Sequence, residues 1–228
     1  MYHQVSKTPV GAPVDLSTND VRKVVFRGAY GRWGKRALDL TLALLAAPFA
    51  AAIVGVLGLL IGRDHGPMFY GHTRVGRDGR RFTCWKLRTM VVDADARLKA
   101  HLAADPAARS EWNETQKLQR DPRVTRLGGL LRAASLDELP QIWNILRGDM
   151  SFVGPRPFTP DQQTLYHGRG YYALRPGLSG LWQVEQRNDG AFAARAVYDA
   201  LYAREMSLGL DLRIIVKTLG VVLRGTGR

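Results

Sequence analysis

The sequence predicts an α+β protein held monotopically at a membrane. Its parts are a proline-broken re-entrant helix hairpin, a small β-hairpin, several helices around a polar site, and a C-terminal amphipathic helix lying in the interface. Three observations carry this. Residues 40–61 hold no charged side chain and are mostly Leu, Ala, Val and Ile. Asp78-Gly79 is a hairpin turn signal between stretches of strand composition. Downstream, Leu136, Leu139, Ile142, Trp143 and Ile145 form a helical apolar stripe.

In chain order, residues 1–34 are polar and basic (Arg22, Lys23, Arg27, Arg32) with no apolar core near the start, and they read as a loose arm rather than a signal peptide. Residues 35–62 form the membrane segment. Its uncharged run is about 33 Å long as a helix, enough to reach across a bilayer. Pro48 lies in its middle, where a proline either kinks a spanning helix or folds it back. Arg32, Lys35 and Arg36 precede the run and Arg63, Arg74, Arg77, Arg80 and Arg81 follow it. Positive charge on both flanks favours both ends on the cytoplasmic side, hence a re-entrant hairpin broken at Pro48. Asp39, costly in lipid, is expected to pair with Arg36 or sit at the interface.

Residues 63–228 make the cytoplasmic domain. Met68 to Tyr70 and Arg74-Val75 read as short strands, and Phe82 to Arg88 as the return strand, with Lys86 and Arg88 on the face of Phe82 and Cys84. Helices are expected over residues 90–104 and 107–118. Gly128-Gly129 reads as a loosened approach to the acidic pair, and Gly148 as a helix C-cap. Gly154-Pro155-Arg156-Pro157 and Arg175-Pro176-Gly177 are rigid loops, each presenting an arginine. Residues 208–223 are apolar apart from Asp211, Arg213 and Lys217, which suits an interfacial helix.

A length of 228 residues and a formal charge of +13 fit one domain with an anionic partner: nucleic acid, an anionic membrane surface or a phosphorylated substrate. Cys84 is the single cysteine, so there is no internal disulfide and no cysteine-rich zinc site. The five histidines show no ligand spacing, and neither a Walker motif nor a dinucleotide fingerprint is present.

The candidate chemistry lies in the run from Arg132 to Gln141. Ser135 and Glu138 have capping-box spacing, but with Ser135 as cap Pro140 falls too far into the helix, whereas with Asp137 as cap it falls in the first turn. Either way Asp137 and Glu138 sit at the positive end of a helix, which favours their ionised form. Carboxylates among cations at a helix start can serve phosphate and metal.

These residues, with Gly76-Arg77-Asp78-Gly79, Lys86 to Met90, Asp121 to Thr125, Asn144, Gly148 to Ser151, Gly154 to Pro157 and Arg175 to Leu178, resemble the monotopic polyprenyl-phosphate phosphoglycosyl transferases. Within these bacterial sugar transferases the chain looks like the short, ExoY-like type that initiates exopolysaccharide synthesis. The resemblance runs from about Lys35 to the C-terminus. It implies transfer of a sugar-1-phosphate, galactose or glucose first and N-acetylhexosamine second, from a UDP-sugar to undecaprenyl phosphate, with Mg2+ and release of UMP. It implies Asp137 as nucleophile forming a covalent phosphosugar intermediate, Glu138 as metal ligand, and Arg132 and Lys86 on phosphate. Arg88, Arg156, Arg175 and Arg187 are implied to bind substrate. The inner membrane, with the catalytic domain on its cytoplasmic face, is the implied location. Downstream glycosyltransferases are the implied partners, and nucleic acid is not. Leu87 stands where the family often has phenylalanine, and Glu185-Gln186 where it tends to small residues and glycine, placing a negative charge beside Arg187. Two other readings compete: a basic membrane-anchored adaptor without chemistry, and a transferase in which the lipid phosphate attacks directly while Asp137 only binds metal.

Overall fold

A 27-residue helix, α1 (Lys35–Ile61), supplies the long axis against which the rest packs. It is about 40 Å long at 1.5 Å per residue. The computed structural model describes residues 28–115, 118–186 and 192–223. Of the arm expected over 1–34, residues 1–27 lie outside these, and Tyr30–Gly34 wind as a π-helical turn directly onto α1.

Pro48 sits inside α1 and the segment remains one helix through it, rather than doubling back as the expected hairpin. A proline removes one ladder hydrogen bond. The adjoining Ala46, Ala47, Phe49 and Ala50 include no glycine or asparagine to make a reversal, and alanine is the strongest helix former. Lys35, Asp39, Ala43, Ala50, Gly58 and Ile61 form a buried stripe along its whole length. Leu44, Leu45, Phe49, Ile53, Val56, Leu59 and Leu60 form the exposed apolar side. One long, apolar, mostly uncovered helix is what membrane association requires.

The hairpin is longer than expected. Strands β1 (Phe69–Val75) and β2 (Arg81–Leu87) pair antiparallel from Phe69 opposite Leu87 to Val75 opposite Arg81. Asp78 and Gly79 take the positive φ values that the turn requires. Met90 bridges to Val124, so the first following helix, α2 (Ala94–Ala104), starts four residues later than expected. Then come α3 (Pro106–Thr115), α4 (Arg126–Ala133) and α5 (Gln141–Arg147). Thr125 caps α4 through the Gly128 N–H at 2.9 Å. Gly128 is a point of close approach rather than looseness: a Cβ there would lie 2.0 Å from the Thr89 carbonyl oxygen.

Gly148 ends α5 at φ 89°, as expected. The chain then forms β3 (Ser151–Val153), α6 (Gly170–Ala173), β4 (Gly177–Ser179) parallel to β3, α7 (Leu181–Glu185), α8 (Arg195–Glu205) and α9 (Leu208–Leu223). The two Gly/Pro loops interlock, since a Cβ on Gly154 would lie 2.3 Å from the Arg175 carbonyl oxygen.

Apolar clusters join these elements. Ala43 and Ala50 of α1 meet Cys84, Ile142, Ile145 and Met150, and Ile61 meets Leu87 and Leu131. Val153, Tyr202 and Ile214 join β3, α8 and α9. A buried polar knot ties α9 to the start of α1. Lys35 Nζ lies 2.8 Å from Asp211, which accepts from Tyr202 Oη at 2.6 Å and from Tyr30 Oη. Asp39 accepts from Ser151 Oγ and Phe152 N at 2.9 and 3.0 Å and lies 3.8 Å from Lys35, so its partners are these and not Arg36. Arg36 instead donates to the Ile145 and Leu146 carbonyls closing α5. On α9, Leu208, Leu212, Val216 and Leu219 are exposed along one stripe, as an interfacial helix requires.

Candidate active site

The acidic pair sits on a single 3₁₀ turn, Leu136–Glu138, between α4 and α5. Neither capping alternative is realised. Ser135 adopts φ 56° and its side chain caps nothing, while α5 begins only after Pro140. The left-handed residue reverses the chain out of α4, and Pro140, with no N–H to satisfy, stands just ahead of the helix.

Strand β2 brings Lys86 over this turn. Its Nζ lies 2.6 Å from Glu138 Oε1 and 3.4 Å from Asp137 Oδ2. Asn144, fully buried on α5, fixes that register. Its Oδ1 accepts from Trp85 N at 3.1 Å and its Nδ2 donates to the Thr83 carbonyl at 2.8 Å, clamping both sides of Cys84. Arg132, at the end of α4, donates through Nε to Thr89 Oγ1 at 2.9 Å. The close fit of Gly128 on Thr89 holds α4 at the distance this bond needs.

The two carboxyls are held differently. Asp137 is 6% exposed, and burial pushes its pKa up; Glu138 adds to the rise, while Lys86 and Arg132 pull against it. The expectation that its position alone keeps it readily ionised is therefore corrected: desolvation outweighs the cations. Burial also raises Glu138, but Lys86, Arg156 and Arg74 together bring its carboxyl below the usual range. Asp137 is the more basic carboxylate and Glu138 the fixed anion.

Around them lies a second ring of cations. Arg156, from the Gly154–Pro157 loop, acts electrostatically on Glu138, on Arg74 of β1 and on Arg195 of α8. Burial, with Arg156 and Arg74 adding to it, lowers the pKa of Arg195 to about 10. Its guanidinium stacks 4.4 Å from the Trp182 ring and 4.6 Å from Phe192. Under it lies an aromatic floor in which Phe158 packs on Tyr171 at 4.3 Å and on Tyr166 at 5.2 Å.

Asp137, Glu138, Lys86, Arg132 and Arg156 thus come together. Arg88 does not join them. All its guanidinium nitrogens are engaged, by Asp64 at 2.5 and 2.8 Å and by the Pro67, Met90 and Ile61 carbonyls, where it closes the end of α1. Arg175 lies in a different cleft, donating to the Gly148 carbonyl at 2.9 Å. Arg187 lies outside the described residues. Glu185 is engaged by Lys217 of α9 at 2.5 Å, so part of its charge is offset there. Arg74, Arg195, Thr89 and Asn144 were not singled out as site residues in the sequence. In the sequence Arg74 showed only as a positive charge flanking the apolar run and in the short strand Arg74-Val75; its Nη2 lies 3.3 Å from His72 Nδ1.

Among the described residues no cluster of three or more carboxylate, histidine or cysteine side chains could enclose a metal. Asp137 and Glu138 are two adjacent carboxylates, and one or two carboxylates are the donor set that Mg2+ takes from protein before completing its shell with water and substrate phosphate.

Comparison with known proteins identifies relatives over most of the chain. The bacterial sugar transferase family model matches residues 30–225. A UDP-galactose-lipid carrier transferase of Erwinia amylovora is 46% identical over 198 residues, 86% of this chain and 42% of its own length. The exopolysaccharide production protein ExoY of Sinorhizobium fredii is 45% identical over 200 residues, covering 86% of this chain and 88% of the relative. A UDP-glucose:undecaprenyl-phosphate glucose-1-phosphate transferase of Caulobacter vibrioides is 37% identical over 201 residues, 83% of this chain and 69% of its own length. The chain thus spans about two-fifths of the first of these relatives and nearly all of the second. With the match extending over both the membrane helix and the acidic turn, the chain belongs to the bacterial sugar transferase family.

Proposed function

We propose that this protein transfers a sugar-1-phosphate from a UDP-sugar to undecaprenyl phosphate, releasing UMP, as the first step of exopolysaccharide assembly. The observation that carries the proposal is the Lys86 ammonium set between a buried Asp137 and an anionic Glu138, on a body packed along an apolar helix. The relatives' names point to galactose or glucose as the sugar.

In the first half-reaction an Asp137 carboxylate oxygen attacks the sugar-bearing phosphorus of the donor. The bond from that phosphorus to the bridging oxygen breaks, and UMP leaves with the electron pair. The product is an acyl phosphate on Asp137. In the second, the undecaprenyl phosphate oxygen attacks the same phosphorus and the carboxylate departs. Partial desolvation makes Asp137 a better nucleophile once ionised, and Lys86 keeps the ionised form accessible. Arg156, Arg74 and Arg195, which act on one another electrostatically, would hold the diphosphate, and Arg132, hydrogen-bonded to Thr89, would meet the transferring phosphoryl group. Glu138, with Asp137, would hold Mg2+, which when bound would neutralise diphosphate charge. Arg88 serves structure in this reading.

The lipid substrate explains the long helix. Because the one body packs on α1 from the Lys35 end to the Ile61 end, both ends belong on the same side of the membrane. α1 and α9 then face the acyl chains together at the cytoplasmic leaflet of the inner membrane. Glycosyltransferases would extend the lipid-linked product.

The test is UMP release by the detergent-solubilised protein with undecaprenyl phosphate, Mg2+ and a panel of UDP-sugars. Release with UDP-galactose or UDP-glucose, lost in Asp137→Asn, is expected. Release that Asp137→Asn leaves intact would sink the assignment and favour a binding protein with a contaminating activity.

A further inference from the structure

A second cationic cluster lies apart from the acidic turn. At the start of α1 a cleft of about 260 Å³ is lined by Arg32, Lys35, Arg36, Asp39, Arg77 and Arg175 among others. None of the proposed catalytic groups lines it. Arg77 belongs to the turn of the β1–β2 hairpin, whereas Lys86 stands near the other end of β2, five residues past Arg81. Five strand residues span about 17 Å.

In the lining of this cleft the cations Arg32, Lys35, Arg36, Arg77 and Arg175 outnumber the one carboxylate, Asp39. Lys35 is matched by Asp211 and Asp39, and Arg77 lies 3.6 Å from Asp78. Among the described residues, the hydrogen-bond partners of Arg36 and Arg175 are main-chain carbonyls: Ile145 and Leu146 for the first, Gly148 for the second. Those carbonyls close α5, whose partial negative charge holds both guanidiniums in place without neutralising them. Burial lowers the proton affinity of Arg175, and Arg77 and Arg36 lower it further, so these like charges crowd one another. Beside the cleft, Trp33 is 78% exposed at the start of the apolar helix, where aromatic side chains sit at headgroup depth.

We infer that this cleft is a second anion site, which takes a phosphate group at the membrane surface, with Arg36, Arg77 and Arg175 as its donors. A phosphate oxygen set among them relieves their repulsion and makes charge-assisted hydrogen bonds with planar guanidiniums. The phosphate can come from an anionic phospholipid headgroup or from free phosphate. The site would seat the body against the leaflet, in a position separate from that of either substrate in the proposed reaction.

Thermal unfolding of the full chain in a neutral maltoside detergent tests this, with dihexanoyl-phosphatidylglycerol, inorganic phosphate and dihexanoyl-phosphatidylcholine titrated separately. The melting temperature should rise saturably with phosphatidylglycerol. The half-saturating concentration should be at least fivefold higher in Arg77→Gln and Arg36→Gln and unchanged in Arg156→Gln. If inorganic phosphate saturates at the same concentration the source is free phosphate; if it does not, the source is the lipid headgroup. Arg77→Gln keeps the test sound if Arg36→Gln, which also loses its hold on α5, fails to fold. No rise with either phosphate source would overturn the inference. So would an equal rise with phosphatidylcholine, wild-type saturation in Arg77→Gln, or loss of the effect in Arg156→Gln.

Discussion

The two cationic clusters of this molecule draw on opposite ends of one β-hairpin, through Lys86 and Arg77, and are built from opposite ingredients. At the Lys86 end, cations converge on a pair of carboxylates that they bias unequally, Asp137 up and Glu138 down. At the Arg77 end, guanidiniums converge on one another and are held by carbonyls at the end of a helix. The first sets a buried carboxyl, an anion and counter-charges in one place, and in the proposed reaction that carboxyl is the nucleophile. The second offers positive potential without such a pair. On that reading positive charge alone marks where phosphate would bind, and the buried acid where it would be transferred.

The sharpest way to break this contrast is Asp137→Asn. It should lower UMP release by at least about a thousandfold, because the amide is a poor nucleophile and the neighbouring Glu138 carboxylate is held by Lys86 at 2.6 Å. The same change should leave lipid-dependent stabilisation at the Arg77 end as it was. Equal losses at both ends would mean one site rather than two.

Lys86→Met comes next, with an expected loss of about a hundredfold to a thousandfold in kcat/KM. It also has a pH signature. Asp137 must be ionised to attack, its pKa is raised by burial, and Lys86 pulls it down. Activity in the wild type should therefore fall, as pH drops, at a pH above the ordinary aspartate value of about 3.9. In Lys86→Met that fall should move to still higher pH, which a pH–rate profile will show. An unmoved acid limb would detach Lys86 from Asp137.

Asn144→Ala sharpens the account of how the site is positioned. It removes a fully buried side chain that holds the Trp85 N–H and the Thr83 carbonyl, at an expected cost of about 1–3 kcal/mol in chemical denaturation. Activity should fall more than stability accounts for, since the strand bearing Lys86 loses its register.

The smallest effect concerns the floor beneath Arg195. Burial raises Asp199 to a pKa of about 7, although the hydrogen bond from Tyr166 and the charge of Arg195 lower it. A carboxyl with a raised folded pKa resists ionisation that the unfolded chain undergoes near 3.9, so it costs stability increasingly as pH rises from about 4 to 7. Asp199→Asn keeps an acceptor for Tyr166 and removes that cost. It should stabilise the protein by about 1–2 kcal/mol at pH 8 and by less at pH 5, in paired thermal melts.

The sequence was legible where one residue type has one use. The uncharged run, the Asp78-Gly79 turn and the Gly148 cap all led to the elements found. It was less legible where tertiary packing decides between local options. Ser135 had the spacing of a cap, yet the chain reverses through it, because α4 must end with Arg132 against Thr89. Pro48 promised a hairpin, yet one proline among strong helix formers, packed against a body along the whole helix, leaves a single helix. The arginines were hardest of all. Arg88, Arg156 and Arg175 look alike in sequence, but one closes a helix, one faces the acidic pair and one lines another cleft. Only the fold separates them. Arg195 gave no signal, since its role comes from stacking between Trp182 and Phe192.

The most direct test of the central claim is intact-protein and peptide mass spectrometry of the full chain, incubated with UDP-sugar and Mg2+ in the absence of undecaprenyl phosphate. The account predicts one sugar-phosphate added, mapped to Asp137, absent from Asp137→Asn and discharged when undecaprenyl phosphate is supplied. UMP released only in the presence of the lipid, with no adduct at any time, would contradict it and assign the attack to the lipid phosphate itself.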